Sequence, residues 1–241
     1  MSKYKIILFD LDDTLIDNLE NVRYAYTKMV ESVGEVYTEE GFKKWYDLDK
    51  HFWIDFYEKK IVVPKEYSTP QELFVKYVRS LRYQKYFDGK ISLEKAFEIN
   101  ELFLRSLNEI VVPIKGAYET LSYLNDKYKL VIATNGPTEA VKSKLGKIGC
   151  LDFIDGIFSA DMTIHTVTKP SIEYFEELKK HLNFYDNSKM LIVGDSLHSE
   201  VQGGMNNGID SCWFNRNNET CPLEYQPTMI VTDLIELTRK L

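Results

Sequence analysis

Asp10 and Asp12 stand two residues apart at the end of a short apolar run, Ile6-Ile7-Leu8-Phe9. While the chain stays extended, residues two apart share a face. Two like charges ~4 Å apart at an effective dielectric of ~20 repel by roughly 4 kcal/mol, so the pair calls for a proton or a cation. Asp195, closing the run Met190-Leu191-Ile192-Val193-Gly194, adds a third carboxylate, and Glu200 follows shortly behind. A hard divalent ion with oxygen ligands, Mg²⁺ above all, is the natural neutraliser. Such a metal then admits a phosphate dianion, whose oxygens Thr134, Lys169 and the backbone N–H groups near Asn135 and Gly136 can hold. Pro170 is expected to set Lys169 at a helix N-terminus, where anions are favoured. Asp12, where it carries a proton, can serve as general acid to a leaving oxygen. The chemistry these residue types suit is phosphoryl transfer.

Strands must deliver these residues to one edge. Apolar runs of strand length occur at Ile6 to Phe9, Leu130 to Ala133, Met190 to Val193 and Ile209 to Phe214. Strands apolar on both faces are what a parallel sheet between helical layers requires, so the expected fold class is α/β, a doubly wound Rossmann-like parallel sheet. In such sheets ligands bind beyond the carboxyl ends of the strands, where the residues above stand. About 120 residues separate the first run from the second, far more than one crossover helix needs. The intervening pattern is helical, with Thr69-Pro70-Gln71-Glu72 read as a capping box and Ser92 as an N-cap. The expected organisation is a core of residues 1–17 and 111–241 with an inserted helical cap of four or five helices over 18–110. Pro113 and Gly116 punctuate the return before a helix from about Ala117 to Tyr128, and Gly203 to Gly208 reads as a helix end and turn.

The stretches Phe9-Asp10-Leu11-Asp12-Asp13-Thr14-Leu15, Thr134-Asn135-Gly136, Lys169-Pro170 and Gly194-Asp195-Ser196 resemble, in order, the four motifs of the haloacid dehalogenase superfamily. The resemblance spans the whole chain. It implies Asp10 as nucleophile and Mg²⁺ ligand, Asp12 as acid/base and as a metal ligand through its backbone carbonyl, and Thr134 and Lys169 as holders of the phosphoryl group. Asp195 is then a metal ligand. The second acid of the fourth motif is usually an aspartate, and here it is Glu200, whose extra methylene favours a water-mediated contact over direct ligation. The aspartate at position 12 disfavours the halide-removing branch, because a halide leaving group needs no proton. The flanking residues, from Ala133 to Pro137 and from Gly194 to Gly204 with Asn207-Gly208-Ile209-Asp210, are similar to the bacterial pyrimidine 5′-nucleotidases of the superfamily. The resemblance therefore implies a phosphatase working through a phosphoaspartate on a nucleoside 5′-monophosphate. The same core would also serve a sugar-phosphate or phosphoglycolate phosphatase or a β-phosphoglucomutase-like enzyme. From another class, a phosphoacceptor signalling domain uses similar residue types, but the large cap and the Asp10/Asp12 pair with Thr14 argue against it.

Bulk properties narrow the partners. Acidic residues outnumber basic ones by 37 to 30, giving a formal charge of −7, which is against a general grip on nucleic acid polymers. The apolar run before Asp10 is too short for a signal peptide or a membrane span, so the expected location is cytoplasmic with no membrane partner. Cys150, Cys212 and Cys221 show no metal or redox spacing and are expected to be reduced thiols. His51, His165, His181 and His198 show no ligand spacing either. The aromatic run Trp45, Tyr46, Phe52, Trp53, Phe56 and Tyr57 is at helical spacing, which favours cap core, with the expectation that some of these rings face the active site.

Overall fold

A strand such as Ile6-Ile7-Leu8-Phe9 must bury both faces, and in the computed structural model of this chain all four side chains are buried. Residues 2–107, 109–163 and 167–241 are described, without the side chains of Ile54 and Tyr57. The chain divides into two compact units, Met1–Asn18 with Val111–Leu241, and Leu19–Ile110.

The first unit is built on a six-stranded parallel sheet. Its strands are β1 (Ile6–Phe9), β2 (Lys129–Thr134), β3 (Gly156–Ser159), β4 (Met190–Gly194), β5 (Asp210–Phe214) and β6 (Met229–Val231), in the order β3-β2-β1-β4-β5-β6. The pleat sorts the side chains to two cores. Ile7, Phe9, Leu130, Ile132, Leu191, Val193, Cys212 and Phe214 face one layer, with Leu121, Leu124, Val141 and Leu145 from the helices there. Ile6, Leu8, Val131, Ala133, Met190 and Ile192 face the other, against Tyr174, Phe175 and Leu178. Each such side chain contributes about 1.5–3 kcal/mol on burial, so the alternation fixes register: a slip by one residue exchanges the two cores. The order reverses direction at β1, with β2 on one side and β4 on the other. The carboxyl ends of these three strands therefore form the crevice in which a ligand is expected.

Strands β3 and β6 are absent from the sequence reading. Both are short edge strands, and their partial exposure (Gly156, Ile157, Met229, Ile230) removes the continuous apolar signal. The fifth strand begins at Asp210, one residue later than read, and the helix after Gly116 ends at Asn125 rather than Tyr128. Gly208 ends the short helix Gly203–Asn207 in the left-handed conformation (φ 63°), as a helix end and turn require.

The second unit holds four α-helices among its described residues: α1 (Asn18–Glu31, whose first residue belongs to the other unit), α2 (Glu39–Tyr57), α3 (Gln71–Tyr86) and α4 (Leu93–Ser106). Ser92 caps α4 by accepting from the Lys95 N–H at 3.1 Å. The capping box expected at Thr69 does not form: Pro70 itself occupies the N-cap position and no side chain caps α3. Trp45 is 1% exposed, stacked on Tyr83 at 5.2 Å between ring centroids and packed against Phe103 at 5.5 Å. Aromatic pairs of this kind add about 0.5–1.5 kcal/mol beyond burial. Trp45 is thus a core residue of the cap, as its helical spacing favoured, and Phe52 is buried too. Trp53 is half-buried, edge-on to Phe52 at 5.6 Å and Phe56 at 5.8 Å between ring centroids, with the Arg82 guanidinium over its ring at 5.0 Å, whereas the Tyr57 side chain and His165 lie outside the described residues. Cys150, Cys212 and Cys221 are free thiols, the first two buried. Among the described residues no helix is long and apolar enough to cross a membrane.

Candidate active site

The β1 ladder runs one residue past the strand, since the Asp10 N–H donates to Val193 O at 2.9 Å. By the pleat, Asp10 then shares the face of Ile6 and Leu8, and there Lys169 meets it. Lys169 is 3% exposed, and its ammonium donates to Asp10 Oδ1 at 2.7 Å, Glu200 Oε1 at 2.7 Å and Ala133 O at 2.6 Å. Every donor of the ammonium is used. Burial opposes its charge, but the Asp10 and Glu200 carboxylates outweigh that and hold its pKa above the ordinary lysine value. The helix beyond, α7 (Ile172–Leu182, with α5 at Ala117–Asn125 and α6 at Thr138–Lys147 preceding it), has Ser171 as its N-cap, accepting from the Glu173 N–H. Lys169 therefore does not sit at a helix N-terminus as the Lys-Pro pair suggested. Its position comes from Asn135, whose Oδ1 accepts from the Lys169 N–H (2.8 Å) and whose Nδ2 donates to Lys169 O (3.3 Å).

That clamp also changes the reading of the Thr134-Asn135-Gly136 turn. The Asn135 side chain is committed to Lys169, and the Gly136 N–H donates to Thr134 Oγ1 at 3.1 Å. Thr134 is 2% exposed, and its carbonyl accepts from the hydroxyl of Tyr174 on α7 at 3.1 Å.

Glu200 reaches the same lysine. It lies on a π-helical turn, Leu197–Gln202, that folds back over Gly194, and both its oxygens are engaged, Oε1 by Lys169 and Oε2 by the Ser196 N–H at 3.1 Å. Through Oε1 it steadies the lysine. Such wide turns recur at functional sites because they re-aim one side chain. The approach needs a glycine: a Cβ on Gly194 would stand 2.6 Å from Glu200 Cδ and 2.7 Å from Oε2. Gly194→Ala is therefore expected to push Glu200 off Lys169 and lower kcat by about 10–100-fold, a loss on the scale of a misplaced catalytic group. Steady-state kinetics with a Tm measurement checks this, and unchanged kcat would show that Glu200 is not needed there.

Asp195 is fastened by Thr14, whose hydroxyl donates to Asp195 Oδ1 (3.3 Å) and accepts from the Asp195 N–H (3.0 Å), and by Trp213, whose Nε1–H donates to Asp195 O (2.8 Å). Burial first, then the charges of Asp10 and Asp13, push its pKa up to about 6. Asp10 is pushed up to about 7, by burial first and by Glu200, with Lys169 pulling the other way. The Asp12 carboxylate is farther out, with its Oδ1 2.5 Å from the ammonium of Lys144 on α6.

Asp10 and Glu200 thus share one buried lysine, and the charge of Asp195 acts on both carboxylates, so against these three acids stands one ammonium and two negative charges are left uncompensated. Protons or a divalent cation would relieve this. The donor set is all hard oxygen, with Asp10 Oδ2 bearing no hydrogen bond among the described residues, so it fits Mg²⁺. Among the described residues no three acidic, histidine or cysteine side chains form a preassembled metal cage. The repulsion has a measurable sign. The folded pKa of Asp195 lies above its unfolded value, so its stabilising contribution is complete below pH ~4 and lost as pH rises through about 6. In EDTA, Asp195→Asn is expected to be more stable than the parent chain at pH 8 by about 1–3 kcal/mol, with the gain vanishing near pH 4. Chemical denaturation at both pH values tests this, and a loss at pH 8 would contradict it.

The sequence pointed to Asp10, Asp12, Lys169 and Asp195 by type and place, but it gave no sign of Lys144, of the double bond from Asn135, or of the Thr14 and Trp213 fastenings. Each depends on residues far apart in the chain. His51 bonds Asp47 O, His198 bonds Gln202, and His181 packs on Phe158, none of them at the site.

Comparison with known proteins agrees with this arrangement. The haloacid dehalogenase-like hydrolase family matches residues 4–208. Among curated proteins, the pyrimidine 5′-nucleotidase YjjG of Escherichia coli is 27% identical over 99% of this chain and 98% of its own length. The pyrimidine 5′-nucleotidase PynA of Streptococcus pneumoniae is 28% identical over 93% and 90%. Among solved structures, the HAD-hydrolase YfnB of Bacillus subtilis, bound to magnesium, superposes with a TM-score of 0.82 and 25% identity, covering 100% of this chain and 99% of that one. With its parallel sheet, its inserted helical cap and the match over most of its length, the chain belongs to the haloacid dehalogenase-like hydrolases.

Proposed function

We propose that this protein is a Mg²⁺-dependent phosphatase that hydrolyses phosphomonoesters through a phosphoaspartate on Asp10, and that its substrates are pyrimidine nucleoside 5′-monophosphates. The single observation carrying the chemistry is the buried Asp10–Lys169–Glu200 cluster at the carboxyl ends of β1, β2 and β4. Lys169 holds Asp10 Oδ1, which leaves Oδ2 to attack phosphorus. The same ammonium, its three donors already engaged, acts by its charge on the phosphoryl oxygens as the transition state spreads charge onto them. Thr134 and the turn it closes bound the other side of the phosphoryl group. Asp12 gives a proton to the leaving oxygen, then takes one from the water that cleaves the acyl phosphate. Mg²⁺ held by Asp10, Asp195 and the Asp12 carbonyl would neutralise the carboxylates and the incoming dianion.

Support for the nucleotide preference comes from the likeness to YjjG and PynA along nearly the whole chain. A panel of monophosphates tests both levels of the reading. With Mg²⁺ present, kcat/KM for pyrimidine nucleoside 5′-monophosphates is expected to exceed that for sugar phosphates and phosphoglycolate by about tenfold or more, the discrimination one good contact supplies. EDTA is expected to abolish turnover until Mg²⁺ is restored. A flat panel would remove the nucleotide preference alone, a sugar phosphate isomerised faster than phosphate is released would indicate a mutase, and full activity in EDTA would remove the mechanism.

A further inference from the structure

Asp12 has a partner that the reaction as described leaves unused. Lys144 lies on α6, 132 residues away in sequence, and its ammonium sits 2.5 Å from Asp12 Oδ1. The lysine side chain is only 13% exposed, whereas the Lys142–Glu139 pair on the same helix is 52% and 90% exposed. An exposed ion pair contributes little, but a lysine stem laid along the protein so that its head reaches one carboxylate is a placed group. The other oxygen of that carboxylate is located too: Asp12 Oδ2 lies 3.9 Å from where a Cβ on Gly136 would stand, and Thr134 Oγ1 lies 3.5 Å from the same point. The carboxylate therefore borders the Thr134–Gly136 turn, with one oxygen tied down. Lys169 cannot do the tying, because its three donors are taken by Asp10, Glu200 and Ala133.

We infer that Lys144 is a positioning residue for Asp12, holding Oδ1 so that Oδ2 alone exchanges protons at the reacting centre; this rests on the phosphatase reading above. The hydrogen bond suits both states of the cycle, since Oδ1 accepts from the ammonium as a carboxylate oxygen or as the carbonyl oxygen of the acid. In the first step Asp10 Oδ2 bonds to phosphorus, the ester P–O bond breaks, and the leaving oxygen takes the proton from Asp12 Oδ2. In the second, water bonds to phosphorus, its proton passes to Asp12 Oδ2, and the bond from phosphorus to Asp10 breaks, restoring the starting enzyme. A lysine that only aims the acid is needed in proportion to how much the leaving group needs the proton.

The test compares a nucleoside monophosphate, whose alkoxide is a poor leaving group, with p-nitrophenyl phosphate, whose phenolate departs unaided. Lys144→Met is expected to lower kcat/KM for the nucleotide by about 30–100-fold and for the aryl ester by less than about threefold, within the range a general acid contributes. Lys144→Arg is expected to recover most of the loss, and Lys144→Met placed on Asp12→Asn to add none. Equal losses on both esters in a protein of unchanged Tm, no loss on either, or additivity with Asp12→Asn would overturn the inference. A parent protein inert towards both esters would overturn the phosphatase reading itself.

Discussion

Asp10→Asn is expected to reduce kcat by about 10⁴-fold or more while leaving the protein folded, because a nucleophile that acts within a unit leaves little activity when removed. The substitution is nearly isosteric, and the amide oxygen can still accept the Lys169 hydrogen bond seen at 2.7 Å. What it cannot do is form an acyl phosphate. Acid quench of the parent enzyme with a rapidly cleaved aryl phosphate should trap a phosphoryl adduct on Asp10, detectable by mass spectrometry, and the variant should show none. If Asp10→Asn kept activity within tenfold of the parent, water would have to attack phosphorus directly, and the Asp10–Lys169–Glu200 cluster would need another explanation.

Lys169→Met should be the next most damaging change, and it should damage two properties at once. The ammonium is in contact with two buried carboxylates. Removing one partner of a buried ionic cluster costs about 3–5 kcal/mol because the remaining charges are left uncompensated. For a chain of this size that is a fall in Tm of roughly 10 °C. Turnover should drop by about 10²–10³-fold or more, as for the loss of a preorganised electrostatic contact. Mg²⁺ should restore part of the Tm and little of the activity, since a cation relieves the repulsion without replacing the directed donor. Lys169→Arg should not rescue either property: a planar fork cannot reproduce three hydrogen bonds from one nitrogen in a space that is 3% exposed. A methionine variant with parental Tm and parental kcat would show that the cluster is decorative.

How far the sequence could be read follows from which forces act locally. Ile6 to Phe9, Leu130 to Ala133 and Met190 to Val193 announce themselves because a central parallel strand is buried on both faces, and that demand is met by consecutive apolar residues. The edge strands Gly156–Ser159 and Met229–Val231 escape because one side of each meets solvent, so their composition is that of a loop. Asp10 and Asp195 were legible because a doubly wound sheet places the residues after its strands at one edge, and Lys169 from the Lys169-Pro170 pair in its order among the motifs. The partners that aim them were not. Thr14 fastens Asp195 across 181 residues and Lys144 reaches Asp12 across 132, distances over which no periodicity operates. The Thr69-Pro70-Gln71-Glu72 capping box was a local signal that the structure does not use, since Pro70 itself takes the N-cap place and no side-chain oxygen caps the helix. Glu200 was found by place, but its bond to Lys169 was not, because only the turn around Gly194 brings its two oxygens to Lys169 and the Ser196 N–H.

The strand ends that lead away from the sheet and back again are stitched together before either leaves it. Ile16 bridges Pro113, the Asp17 N–H donates to Val112 O at 2.8 Å, and the Ile114 N–H donates to Leu15 O at 2.9 Å. Exit and re-entry thus share one doorway, and the whole excursion of helices is, for the sheet, a long loop whose closure is already accomplished. Lengthening such a loop adds only about 0.6 kcal/mol per doubling. The helical module is therefore free to diverge in size and sequence while the doorway and the chemistry beside it stay fixed, which gives one phosphoryl-transfer edge a means of acquiring new clients by exchange of what hangs between residues 17 and 112.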